Sequence, residues 1–387
     1  MSETNLVALR YPNRQLGARI LQAWESGQAV LPLDTSLPHS QVADLLERFR
    51  PAQLHEPGAT TKLGAARPVD GAVAAVIPTS GSSGPPKGVL LTHDALRWSA
   101  GASIRRLGVE PSLRWLCCLP ISHVAGLAIV VRSALSGTTP AVHDRFDPEA
   151  IRRQKDADLI SLVPTQLTRL LDAGVDLRRF AAVLLGGGPA GESLLERAAA
   201  AGATVVQTYG MTETCGGCVY DARPLDGVSV RVSGGIIELA GPMLMSGYRL
   251  EAELTRQVLT GGWFTTSDLG RLDNGRLTVL GRADNVIITG GEKVSARRVT
   301  QLLVEHPGIA DAAVLGLPDP DWGQRVAAVV VAGEGKAVDE AQVARALRTK
   351  AAPYEVPKLI RTVELIPRTR SGKPDLPAIR ELLRPES

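Results

Sequence analysis

A chain of 387 residues with 44% hydrophobic content is long enough to bury a substantial core and to divide into two or three structural units. Its 43 basic and 40 acidic residues leave a formal charge of +3, which gives no electrostatic case for nucleic acid as the main partner; a nucleotide substrate requires only a local cationic site. No apolar run reaches the length of a membrane span, the start Met1-Ser2-Glu3-Thr4-Asn5 lacks the segments of a secretory signal, and four cysteines are too few for a disulfide framework, so a cytoplasmic location is expected.

In chain order, the first seventy residues read as β/α material: a helical stretch from Leu16 to Glu25, the apolar run Ala29 to Leu33, and a helical stretch from Ser40 to Phe49 that Pro51 closes. Ala72 to Ile77 is an apolar strand candidate, followed by a Gly/Ser loop and then a helix expected from Asp94 to Arg105. Strand, glycine loop and helix are the context expected of a phosphate site. Strands are predicted at Trp115–Leu119, Leu159–Val163, Ala182–Leu185 and Thr204–Gln207, with helices at Pro164–Leu171 and Ser193–Ala200 between them. That alternation predicts an α/β sheet with substantial parallel pairing. From about Gly227 the short runs Val228–Val232, Ile236–Leu239 and Leu277–Leu280, separated by Gly and Asn-Gly turns, predict a small antiparallel unit. After Gly281-Arg282, strands at Ala312–Leu317 and Val326–Val331 and a helix at Asp339–Thr349 predict a compact α+β domain. The expected division is therefore 1–282 and 283–387.

The residues with chemical content lie in the loops. Thr79-Ser80-Gly81-Ser82-Ser83-Gly84-Pro85-Pro86-Lys87-Gly88 offers four hydroxyls, three glycines and one lysine: backbone N–H groups and hydroxyls suited to phosphate oxygens, with Lys87 as a point charge. It lacks the G-x-x-x-x-G-K-[ST] spacing of a Walker A loop. Gly186-Gly187-Gly188-Pro189-Ala190-Gly191 follows a strand, and its missing side chains allow a planar ligand to approach backbone. Taken alone, Glu213 beside Thr212 and Thr214 could cap a helix, His123 could be a packed core histidine, Asp268 a solvated turn residue and Lys373 a solvated lysine. The cysteine pair Cys215/Cys218 has no second ligand pair and reads as packing.

As a series these segments resemble the adenylate-forming superfamily, which comprises acyl- and aryl-CoA synthetases, firefly luciferases and peptide-synthetase adenylation domains. Thr79–Val89 carries the signature, and the further motifs follow in the family's order from about residue 70 to 375. The resemblance implies a large α/β domain with a small antiparallel unit and a small mobile α+β domain. It implies that His123 and Gly126, in Leu119-Pro120-Ile121-Ser122-His123-Val124-Ala125-Gly126, line the acyl pocket, and that Gly187, Gly188 and Pro189 flank adenine and the acyl group. In Gln207-Thr208-Tyr209-Gly210-Met211-Thr212-Glu213, Tyr209 would stack on adenine, Thr208 and Gly210 would border the substrate, Thr212 would touch phosphate, and Glu213 would hold Mg²⁺. Asp268 would accept both ribose hydroxyls, although Ser267 stands where the family usually has Gly. Arg282 would contact the ribose, Asp284 would be the hinge, and Gly290 and Gly291 would meet the pantetheine arm of CoA. Ala296 and Arg298 replace the usual Pro and Glu there. Lys373 would bridge the acid carboxylate and the α-phosphate as the main catalytic residue.

The implied chemistry takes ATP, a carboxylic acid and CoA to acyl-AMP and then to a thioester, after a swing of the small domain. The short chain, the run Thr212–Asp221 and the Gly-Lys-Pro-Asp end resemble the o-succinylbenzoate–CoA ligases of menaquinone synthesis. Another aryl or medium-chain acid, a carrier-protein acceptor, and a silent nucleotide-binding module remain open from the sequence, as does a homodimer.

Overall fold

The computed structural model of the protein describes residues 2–79, 85–110, 112–283, 286–290, 292–333, 337–369 and 374–384. The chain forms two compact units: Met1–Ala190, Leu194–Val230 and Glu238–Thr265 make the first, and Gly191–Ser193, Arg231–Ile237 and Thr266–Ser387 the second.

The first unit is built on two seven-stranded sheets. In one, Leu6–Leu9 is buried along its whole length and lies between Ala29–Pro32 and Gln53–Glu56, both parallel to it. Helix Asn13–Glu25 buries Leu16, Gly17, Ile20 and Ala23, and helix His39–Phe49 buries Val42, Leu45 and Phe49. Both spacings give one apolar stripe per helix, and the second helix stops at Arg50, whose φ of 48° is left-handed. The buried strand Val73–Thr79 continues this sheet and pairs antiparallel with Lys87–Thr92, which pairs in turn with Gly247–Tyr248.

In the other sheet Ala141–Val142, Trp115–Cys117, Leu159–Leu162, Ala182–Leu185 and Val205–Met211 run parallel in that order, followed by the antiparallel Gly216–Tyr220 and Arg223–Pro224. The central strands are buried along their whole length, hence their largely apolar runs, interrupted only by the buried Ser161 in Leu159–Leu162. Helix Val124–Leu135, absent from the sequence reading, is apolar nearly all round and so carries no helical period to detect. Its one charge, Arg132, is buried: the guanidinium lies 4.4 Å from the Trp115 ring centroid and donates to Ser103 Oγ at 3.1 Å, which bonds the Tyr220 hydroxyl at 2.8 Å. That chain of contacts fastens helices His93–Leu107 and Val124–Leu135 to the strand backing residues 208–211.

In the second unit the part of strand Trp263–Asp273 from Thr266 onward forms an antiparallel hairpin with Arg276–Arg282, with Asp268 opposite Arg282. A further sheet orders Glu292–Ser295, Val286–Thr289, Gly323–Ala332 and Ile309–Asp319, with Leu359–Thr362 parallel to Gly323–Ala332. Helix Ala296–Val304 packs Val299 and Leu303 on one face of this sheet, and Ile379 and Leu383 pack on Ala327 and Val329. The α/β and α+β character expected of the two parts is thus observed. Among the described residues no helix is long and apolar enough to cross a membrane.

Candidate active site

In the first unit several of the predicted residues meet at the carboxyl ends of parallel strands, where open α/β sheets present ligand crevices. Leu159–Leu162 leads into Val163 and Pro164, Ala182–Leu185 into Gly186 to Pro189, and Val205–Met211 carries Thr208, Tyr209 and Gly210 at its end. Thr208 Oγ1 donates to the Leu185 carbonyl at 3.3 Å, joining two of these ends, and Gly187 adopts φ +77° above Val163. A register shift falls between Tyr209 and Gly210, where the chain presses on the next strand: a Cβ on Gly210 would lie 2.0 Å from the Gly216 carbonyl oxygen. Thr214 is fully buried and pins that turn. Its Oγ1 accepts from the Met211 N–H at 2.9 Å and lies 2.7 Å from the Gly216 carbonyl. His123, half-buried, follows strand Trp115–Cys117 and stands just ahead of helix Val124–Leu135.

Thr212 and Glu213 occupy the tight turn Thr212–Thr214. Glu213 Oε1 accepts from the Tyr248 hydroxyl at 2.8 Å, and the Lys87 ammonium lies 5.4 Å from the Tyr248 ring centroid. Tyr248 thus holds a carboxylate at its hydroxyl and an ammonium over its ring, the three residues drawn from stretches up to 161 residues apart. Tyr248 was missed in the sequence because a two-residue strand has no period and the tyrosine belongs to none of the motifs. Its neighbour Arg249 is buried and donates to the carbonyls of Phe49 (3.1 Å), Pro68 (2.7 Å) and Arg67, while its own N–H donates to the Gly88 carbonyl at 2.7 Å. Burial, with Arg67 close by, lowers the Arg249 pKa to about 10, so it stays cationic at neutral pH. The residue set suits Mg²⁺, which takes one or two carboxylates and leaves its other positions to water and phosphate. Glu213 is one oriented hard-oxygen donor, and the described residues contain no cluster of three or more His, Cys, Asp or Glu.

The context expected for the Gly/Ser loop is corrected. Thr79 pairs with Lys87 and Pro78 with Gly88, so the loop joins two antiparallel strands, and helix His93–Leu107 begins only after strand Lys87–Thr92. The run Gly88-Val89-Leu90-Leu91 is too short to separate a strand from loop by pattern alone. Thr79 Oγ1 donates to the Lys87 carbonyl at 3.3 Å, which closes the loop's base.

In the second unit the hairpin register brings Arg282 Nη1 to 3.9 Å from Asp268 Oδ1. Thr266 Oγ1 accepts from the Asp268 N–H at 3.0 Å and holds that bend. Arg297 is close enough to interact electrostatically with Asp268, although burial is the larger influence and lowers the Arg297 pKa. Gly290 adopts φ +59°, donates its N–H to the Trp322 carbonyl at 2.9 Å, and has no room for a Cβ beneath the Trp322 ring. All four cysteines are buried, and burial pushes the Cys117 and Cys218 thiols up to about 12. The predicted residues Ser80, Gly81, Ser82, Ser83, Gly84, Asp284, Gly291 and Lys373 lie outside the described residues.

Two family models match the chain: one described as AMP-binding enzyme over residues 8–248, and one described as AMP-binding enzyme C-terminal domain over residues 299–373. A Mycobacterium tuberculosis protein named "Probable 2-succinylbenzoate–CoA ligase" is 46% identical over 332 residues, covering 80% of this chain and 85% of that protein. Among solved structures, o-succinylbenzoate CoA synthetase from Bacillus subtilis in complex with the acyl-adenylate intermediate OSB-AMP is 28% identical with a TM-score of 0.86, covering 100% of this chain and 89% of that one. The same synthetase in complex with ATP and magnesium ion also gives 0.86 at 28% identity, covering 98% of this chain and 89% of that one.

Proposed function

Because the chain belongs to the AMP-binding enzyme family, we propose that it is an ATP-dependent acid–thiol ligase that converts o-succinylbenzoate into o-succinylbenzoyl-CoA through an acyl-adenylate. The observation that carries this reading is the set Glu213, Tyr248 and Lys87, an oriented carboxylate and an ammonium on one tyrosine beside the loop that bears the family signature. It is supported by the 46% identity to a protein named for that reaction.

A carboxylate is a poor acylating agent because its leaving group would be oxide. Attack of one carboxylate oxygen on the α-phosphorus of ATP, with cleavage of the bond to pyrophosphate, turns that oxygen into part of an AMP leaving group. No side-chain nucleophile is required; the work is charge compensation and alignment. Lys87 and the hydroxyls of residues 79–83 hold pyrophosphate oxygens, Thr212 a phosphate oxygen, and Lys373 the acid carboxylate together with the α-phosphate. Glu213, oriented by Tyr248, would hold Mg²⁺, which when bound offsets the charge of the phosphates. Tyr209 stacks on adenine beside Gly187, Gly188 and Pro189, and Asp268 and Arg282 take the ribose. His123, Gly126, Thr208 and Gly210 border the acid. In the second half-reaction the thiol of CoA, passing Gly290 and Gly291, attacks the acyl carbon, the bond to AMP breaks, and the thiol proton leaves to solvent. Residues 283–387 act as the mobile domain, turning at Asp284.

A panel of acids assayed for pyrophosphate release, with and without CoA, tests the reading. Pyrophosphate release should depend on o-succinylbenzoate, and thioester should form only with CoA. Faster turnover of benzoate or a medium-chain acid would reassign the substrate, and thioester formation on a carrier protein alone would reassign the acceptor.

A further inference from the structure

The segment that carries His123 is held from outside by a residue with no place in any motif. Asn13 opens helix Asn13–Glu25, where a short polar side chain ordinarily serves its own helix terminus. Here it serves the other sheet. Asn13 Nδ2 donates to the Leu119 carbonyl at 2.9 Å and to the His143 carbonyl at 3.0 Å, and Oδ1 accepts from the Ile121 N–H at 2.7 Å. The side chain thereby uses both donors and its acceptor on backbone 106 to 130 residues away.

Two of those bonds straddle Pro120, and the Pro120 carbonyl is the next link. It accepts from the His123 N–H at 3.1 Å, and Gly126 packs so tightly on it that a Cβ there would lie 2.3 Å from the oxygen. The same helix grips the segment a turn later, where the space at Gly17 is filled by Val130 and by Ile121, itself fully buried. The chain of contacts runs from Asn13 to the peptides around Pro120 and from there to the main chain of His123 and Gly126. Nothing in it involves Lys87, Glu213 or Tyr248, which are held separately through Arg249. Independent supports imply separable effects on the acid and on the nucleotide.

We propose that Asn13 is a positioning residue for the acid: by clamping both sides of Pro120 it fixes the His123–Gly126 turn and so sets affinity for o-succinylbenzoate without setting affinity for ATP. The inference rests on the proposed acid-activating function, with His123 and Gly126 bordering the acid. Asn13→Ala removes all three bonds. Asn13→Asp keeps the acceptor for Ile121 but points a carboxylate oxygen at two carbonyl oxygens, and so should be the worse of the two. Arg14→Ala is the control, since it leaves Asn13 and the Arg14 N–H bond to Asp144 intact while removing a neighbouring surface charge.

The test measures KM for o-succinylbenzoate, KM for ATP and kcat in pyrophosphate release, together with the melting temperature of each variant. Asn13→Ala is expected to raise KM for the acid about tenfold, as the loss of more than one neutral hydrogen bond allows, and to keep KM for ATP within about twofold. Asn13→Asp is expected to raise the acid KM further, and Arg14→Ala to change neither. The proposal is overturned if both KM values rise together, if the acid KM is unchanged, or if the loss follows only the unfolded fraction. Wild-type protein that activates no acid would instead sink the function on which the proposal rests, and the two failures are distinguished by that control.

Discussion

Glu213 and Asp268 are both acidic, one bonded to a tyrosine and the other facing an arginine, and they are assembled in opposite ways. Asp268 meets Arg282 across a single hairpin, where the turn at Asn274-Gly275 and the strand register bring them together. Tyr248 touches both Glu213 and Lys87 because the strand Gly247–Tyr248 lies against Lys87–Thr92, with Arg249 bonded to the carbonyls of Phe49, Arg67 and Pro68. The first arrangement is local and survives wherever the hairpin forms. The second is a product of packing, and disturbing residues remote from the carboxylate should disturb it.

The largest expected effect is at the packed site: Glu213→Ala should slow acyl-adenylate formation on the order of 100-fold or more, since an oriented electrostatic partner is lost, as single-turnover kinetics would read. Next, Arg249→Met should destabilise the protein by about 2–4 kcal/mol in denaturant unfolding. Three carbonyls, the Phe49 bond buried and the Pro68 and Arg67 bonds part-buried, lose their donor, each in a hydrogen bond to a charged group. A loss below about 0.5 kcal/mol would mean that the strand bearing Tyr248 is held by other means. At the local site, Asp268→Asn should raise KM for ATP about tenfold with an unchanged melting temperature, because one charged acceptor is replaced while the hairpin remains. Tyr248→Phe sharpens the contrast: it removes the 2.8 Å bond to Glu213 and keeps the ring beside Lys87, and a three- to tenfold fall in kcat, about 1 kcal/mol, is expected. Smallest of all, Arg282→Ala should change stability by less than about 0.5 kcal/mol, since a half-exposed guanidinium 3.9 Å from its carboxylate contributes little to folding.

The same contrast explains what could be read in the sequence. Leu16, Ile20 and Ala23, or Val42, Leu45 and Phe49, repeat at helical spacing, and Ala182–Leu185 is an apolar run between turn signals, so these elements were visible. Helix Val124–Leu135 was not, because a helix that is apolar nearly all round has no polar face to mark its period. Strand Lys87–Thr92 is not legible in the sequence, because six residues beginning Lys-Gly look like loop until their partner across the sheet is known. Asp268 and Arg282 were legible as motif residues. Tyr248, Arg249 and Asn13 were not, since their importance lies in partners 35 to 200 residues distant.

The central claim is that the acid's own oxygen attacks the α-phosphorus before any thiol does. Its most direct test uses o-succinylbenzoate whose reacting carboxylate carries isotopically labelled oxygen at both positions, with ATP, magnesium and CoA, followed by mass analysis of the AMP. The account predicts one labelled oxygen in each AMP and none in pyrophosphate. Unlabelled AMP, or ADP and phosphate in place of AMP and pyrophosphate, would contradict it.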